Sequence, residues 1–172
     1  MKKVIFTILF ACITSFSIAQ ETQEVKTFPL PNVTIKTIDG KSFNTKDIDN
    51  DGKPIILCFF ATWCKPCMVE LKSIAEEYDD WQDETGVKIY IVSIDDTRSS
   101  AKVKPLVNGN SWDYEVLLDE NQDFKRAMNV NDIPHTFVLN GNNEVVWQHA
   151  SYAPGVEREY IEIVKKLIEV EK

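Results

Sequence analysis

The chain predicts an α/β fold, a central sheet with helices on both faces, and three observations carry that expectation. Residues 54–60, Pro-Ile-Ile-Leu-Cys-Phe-Phe, form a continuous apolar run, the pattern of a strand buried on both faces. From Cys64 onward Met68, Leu71, Ile74, Ala75, Tyr78 and Trp81 return at three- and four-residue spacing, which is one face of a helix. Strand-like and helix-like runs then alternate, and the chain closes with a hairpin and a last helix.

Taken in order, the first segment is a targeting signal rather than part of the fold. Residues 1–20, MKKVIFTILFACITSFSIAQ, place two lysines before a nearly unbroken apolar stretch and end in the small-x-small pattern Ser17-Ile18-Ala19. The stretch is too short and wrongly flanked for a permanent membrane span. A rival cut before Cys12 would leave a lipid-anchored cysteine, but Phe10 suits such a box badly and the apolar run continues past it. The expected leader is therefore 1–19, followed by a polar, flexible arm at 20–27 and a folded domain at 28–172. Its removal takes Lys2, Lys3 and Cys12, shifting the net charge from −8 to −10 and the cysteines from four to three. An exported chain meets oxidising conditions, where cysteines pair. Three cysteines make one pair and one leftover thiol, with Cys64 and Cys67 the obvious pair.

In the folded part, Val33 to Thr37 alternates like a strand, and Asp39-Gly40 marks a hairpin turn into Lys41-Ser42-Phe43. Val87 to Ile94 reads as a second buried strand, Thr97 to Val107 as a weaker helix interrupted by Pro105, and Glu115 to Leu118 as a short strand. Asn121 to Met128 suits a short helix. Thr136–Leu139 and Glu144–Gln148 are two strands around the turn Asn140-Gly141, and Val156 to Val170 is an amphipathic helix whose charged run faces solvent. Trp112 and Trp147 read as core or rim aromatics. At 172 residues, 44% hydrophobic and 27% charged, the chain can bury a core without disulfide staples. The acidic balance, with no basic stripe, excludes nucleic acid as a partner.

The chemistry concentrates in Trp63-Cys64-Lys65-Pro66-Cys67. Cys64 falls at a helix start, where unpaired N–H groups and the helix dipole favour a thiolate, and Lys65 adds a cation beside it. The thiolate is the attacking species, so Cys64 is the nucleophile and Cys67, one turn inside on the same face, resolves a mixed disulfide. Pro66 is tolerated because the first turn needs no N–H from it. Two other readings stand beside this one. A purely structural disulfide is possible at this spacing. A zinc half-site is disfavoured because no second Cys-x-x-Cys exists and His135 and His149 lie far along the chain.

With PIILCFFATWCKPCMVEL followed about seventy residues later by NVNDIPHTFVLNGNNEVV, the chain resembles the thioredoxin superfamily, and within it the exported TlpA/ResA-like thiol-disulfide oxidoreductases. The resemblance covers most of the chain after the leader. It implies a thioredoxin fold, a central mixed sheet flanked by helices, with an N-terminal β-hairpin and a central inserted βα segment. It also implies that Ile133-Pro134 is a cis-proline pair beside the cysteines, that the Ile133 backbone pairs with an extended substrate strand, and that Trp63 forms the apolar rim around the exposed sulfur. Glu70 matches an acidic residue placed beneath the disulfide, where a buried carboxyl of raised pKa shuttles the Cys67 proton; the plain alternative is an exposed helix glutamate. Cys58, six residues before Cys64, departs from the buried aspartate of many thioredoxins, which moves the acid–base burden toward Glu70 and leaves Cys58 as a core residue.

The implied partners are cysteine-containing client proteins, apocytochromes in cytochrome c biogenesis among them, and a membrane or periplasmic electron donor. No organic cofactor is implied, since the cysteine pair itself carries two electrons, and the resemblance leans towards reduction of clients. A second reading is a copper chaperone using Cys64, Cys67 and His135 as soft ligands. A peroxidase reading fails at Ala61, where peroxiredoxins place threonine. Asp47 to Gly52 copies half of a calcium loop, but Cys58 stands where the bidentate glutamate should be, so the stretch reads as an acidic turn.

Overall fold

The computed structural model describes residues 27–170. The expected leader, and all of the expected arm but Thr27, lie outside them. Eight strands form one mixed sheet: β1 (Phe28–Pro29), β2 (Thr34–Thr37), β3 (Ser42–Asn44), β4 (Ile55–Phe60), β5 (Lys88–Ser93), β6 (Glu115–Leu118), β7 (His135–Leu139) and β8 (Glu144–Ala150), in the order β1-β8-β7-β4-β5-β6-β2-β3. Among the described residues four α-helices accompany them: α1 (Lys65–Thr85), α2 (Val103–Gly109), α3 (Asp123–Ala127) and α4 (Glu157–Val170).

The apolar run at 55–60 is β4, and every one of its residues is buried. It lies between β5, to which it runs parallel, and β7, to which it runs antiparallel. Helices cover both faces. Alternate side chains divide between them, since a strand has period two. Cys58 and its register partner Thr136 face α1 and α4, where Glu70 and Tyr160 meet Thr136 or one another by hydrogen bonds. Phe59 faces the other way, 5.2 Å from Phe124 of α3 and 5.9 Å from Phe137. The N-terminal hairpin extends the sheet through β2, antiparallel to β6, and β1 pairs with β8 at the opposite edge. That two-residue edge strand is absent from the sequence reading.

Three local differences from the expected elements have simple causes. The helix expected over 97–107 begins only at Val103, after a short 3-10 turn at Ser100–Lys102, and runs to Gly109. Asp96 captures the N–H groups of Arg98 and Ser99 with its side chain, holding a turn ahead of the helix, and Pro105 falls in the first helical turn, where its missing N–H interrupts nothing. The helix expected from Asn121 begins at Asp123, because Gln122 is left-handed at φ 58° and Asp119 accepts from the Phe124 and Lys125 amides. In the β7–β8 connection the positive φ belongs to Asn143, not Gly141. Gly141 is needed for closeness: a Cβ there would stand 2.1 Å from the Gly52 carbonyl oxygen. The acidic stretch before β4 is a turn, with Asn50 turned inward to donate to the Pro54 and Gly86 carbonyls.

Candidate active site

The chain leaves β4 at Phe60 and enters α1 at Lys65, so Ala61 to Cys64 form the bend at the strand's C-terminal end. Asp95, 1% exposed just beyond β5, ties that bend down. Its Oδ2 accepts from the Thr62 amide at 2.8 Å and from Ser93 Oγ at 2.8 Å, and its Oδ1 accepts from Thr62 Oγ1 at 2.7 Å. Cys64 then caps α1. Its backbone is extended, its N–H reaches the Ala61 carbonyl, and its Sγ accepts from the Cys67 amide at 3.2 Å. Pro66 occupies the first turn, as expected.

Cys64 and Cys67 are disulfide-bonded, with Cα atoms 5.3 Å apart, and Cys58 is the free cysteine among the described residues. The two sulfurs are unequally placed. Cys67 is fully buried, while Cys64 retains 5% exposure beside Trp63, which is 65% exposed. The Ile133–Pro134 bond is cis, and the Ile133 carbonyl oxygen lies 3.9 Å from the Cys64 sulfur. An open groove of about 500 Å3 is lined by Thr62, Trp63, Lys102, Pro105 and Leu106.

Glu70 lies one helical turn beyond Cys67 on the buried face of α1, at 1% exposure. It is therefore not an exposed helix glutamate. Its Oε1 accepts from Tyr160 OH at 2.6 Å and from Thr136 Oγ1 at 2.9 Å, while its Oε2 has no partner among the described residues. Burial pushes the carboxyl up to about 7, against the opposing effect of those two hydrogen bonds, and nearby Glu157 adds to the rise. Burial, and secondly Glu70, push the Cys58 thiol well above its usual range, so it remains a neutral core thiol.

The structure brings Trp63, Cys64, Cys67, Glu70, Ile133 and Pro134 into one region. His135 differs. It sits on the opposite sheet face to Cys58 and Thr136, stacked on Phe137 at 4.5 Å, with Nε2 3.2 Å from Gln148 Oε1, and burial lowers its pKa. Among the described residues no group of three or more His, Cys, Asp or Glu side chains is placed to hold a metal ion. Three residues that frame the site were given no role from the sequence: Asp95, Tyr160 and Thr136, although Thr136 belongs to the Ile-Pro-His-Thr-Phe stretch that carries the resemblance. The only signal for Asp95 was an acidic residue directly after a buried strand.

Residues 27–148 match the AhpC/TSA family. The chain belongs to that family. It is 32% identical over 118 residues to the thiol-disulfide oxidoreductase ResA of Bacillus thuringiensis (strain Al Hakam), a match covering 69% of this chain and 65% of that one. The chain thus spans about 65% of that relative's length. Among solved structures it is similar to an uncharacterized thioredoxin-like protein from Porphyromonas gingivalis, at 54% identity and a TM-score of 0.74, over 81% of this chain and 92% of that one. It is also similar to a thiol:disulfide interchange protein of the thioredoxin family from Chlorobium tepidum TLS, at 25% identity and a TM-score of 0.64, over 83% and 97% of the two chains. The resemblance to the TlpA/ResA-like thioredoxin superfamily and the thioredoxin fold it implies are borne out.

Proposed function

We propose that this AhpC/TSA-family member is an exported thiol-disulfide oxidoreductase that reduces disulfides in client proteins. The observation that carries the reading is the unequal cysteine pair at the start of α1, Cys64 5% exposed beside the exposed Trp63 and Cys67 fully buried, directly ahead of a buried carboxyl. In the reduced protein the Cys64 thiolate attacks one sulfur of a client disulfide. That bond breaks, its second sulfur leaves as a thiolate and takes a proton from water, and a Cys64–client disulfide forms. The Cys67 thiol then gives its proton to Glu70, and the Cys67 sulfur attacks Cys64, displacing the client's remaining sulfur as a thiolate, which takes a proton from water while Glu70 returns its own to water. The client gains two electrons and two thiols, and this protein ends with the Cys64–Cys67 disulfide seen here.

The remaining residues serve binding. An extended client segment pairs with the backbone of Ile133, held beside the sulfur by Pro134, and lies against the exposed Trp63 ring. A membrane or periplasmic thiol donor restores the reduced form, and the leader at 1–19 places the protein outside the cytoplasm. Cytochrome c biogenesis is the client role that best suits the ResA resemblance. No observation among the described residues favours copper: His135 is engaged with Gln148 and Phe137, and no three-ligand group includes it.

The experiment is turnover of a disulfide-bonded peptide with dithiothreitol as the electron source. Cys64→Ser is expected to lose the exchange entirely. Cys67→Ser is expected to accumulate a mixed disulfide of protein and peptide, visible as a mass adduct that reductant removes. A Cys64→Ser protein that still turns over would contradict the assignment.

A further inference from the structure

Both hydrogen bonds to the buried Glu70 carboxyl arrive at the same oxygen. Tyr160, from α4, is fully buried and donates its OH to Oε1 at 2.6 Å; Thr136, from β7, is 1% exposed and donates its Oγ1 proton to Oε1 at 2.9 Å. A carboxyl oxygen offers two lone pairs, and here both are taken. Oε2 is equally buried and has no partner among the described residues. We propose that Tyr160 and Thr136 are positioning residues for the Glu70 proton, engaging Oε1 from two different elements so that the proton is held and released at Oε2. The inference rests on the shuttle role given to Glu70 above.

The surrounding structure is built to keep those donors in place. The Tyr160 ring packs 5.4 Å from the Trp147 ring. Burial, and secondly Glu70 itself, raise the Tyr160 phenol far above its usual range, so it stays an O–H donor while Glu70 titrates. Thr136 is fixed by its register with Cys58 across β4 and β7. The titratable and charged groups around Glu70 are Cys58 of β4, Cys67 of α1, Tyr114 ahead of β6, Tyr152 ahead of α4, and Glu157 and Tyr160 of α4. Burial and Glu157 favour the protonated carboxyl, and the two hydroxyls oppose them by stabilising the carboxylate. In the resolving step the carboxylate accepts the Cys67 proton at Oε2 while the sulfur–sulfur bond to Cys64 forms and the Cys64–client bond breaks. The proton then passes to water, and the two Oε1 bonds persist throughout.

The test reads the Glu70 carboxyl directly, by a carbon-13 NMR pH titration of the purified oxidised protein labelled at glutamate, with Glu70→Gln identifying the resonance. Tyr160→Phe and Thr136→Val each remove one hydroxyl at nearly constant shape. Each is expected to move the Glu70 midpoint up by about one pH unit, the effect of one hydrogen bond to a charged group. Thr136→Ser keeps the hydroxyl and is expected to stay at the wild-type midpoint, which a role in packing alone would not produce. Unchanged midpoints in both Tyr160→Phe and Thr136→Val would overturn the inference, as would a Thr136→Ser shift equal to that of Thr136→Val. The shuttle role fails separately, if Glu70→Gln leaves the pH profile of mixed-disulfide resolution unaltered.

Discussion

Glu70 and Asp95 are equally buried, at 1% exposure, and both adjoin the cysteine bend, yet the fold holds them in opposite ways. Asp95 receives donors on both oxygens, two of the three from Thr62, so its carboxylate acts as a strut between β5 and the chain entering α1. Glu70 receives both of its donors on one oxygen, and the other is left without a partner among the described residues. A carboxyl anchored on both sides fixes geometry. One anchored on a single side keeps an atom free for a proton, and burial has raised it to about 7, where a proton moves readily near neutral pH.

Breaking the strut has the larger effect on stability. Asp95→Ala strands the Thr62 amide and the Thr62 and Ser93 hydroxyls without their acceptor, and is expected to cost about 4 kcal/mol in urea unfolding. If the loss is within about 0.5 kcal/mol, Asp95 is no strut and the contrast with Glu70 collapses.

Glu70 sharpens the contrast through pH. Its folded pKa, about 7, lies above the ordinary value of 4.5, so the folded protein holds this proton more tightly than the unfolded chain does. The folded state therefore binds more protons across that window, and stability falls as pH rises. The contribution is fully present below about pH 4.5 and lost as pH rises through about 7, roughly 3 kcal/mol in all. Unfolding of the oxidised wild type and of Glu70→Gln across this range checks it. The stability difference, wild type minus variant, should decline over that window; a flat difference would mean that Glu70 titrates as an ordinary surface glutamate.

Much of this contrast follows from features of unequal visibility in sequence. The continuous run of β4 and the spacing that follows Cys64 are local patterns, so the strand, the helix and the unequal cysteines were readable from them. Glu70 could be placed because the resemblance implies an acidic residue beneath the disulfide and a single helical turn separates it from Cys67. Its partners could not. Thr136 and Tyr160 lie 66 and 90 residues further on, and nothing local distinguishes Tyr160 from any other apolar-face residue of α4. The two-residue strand β1 was missed for the same reason, since it exists only through pairing with β8. Helix starts slipped where Asp96 and Asp119 took backbone amides that propensity alone would assign to a helix.

The most direct test of the account is the reduction potential of the purified protein, found by equilibrating it with dithiothreitol or glutathione buffers and trapping the thiols. A dedicated reductase predicts a two-electron couple at roughly −270 mV or below, in the range of thioredoxin. A value near roughly −120 mV would make the protein a disulfide donor and reverse the direction of the proposed reaction. If no couple titrates at all, the account of Cys64 and Cys67 as a redox pair is contradicted.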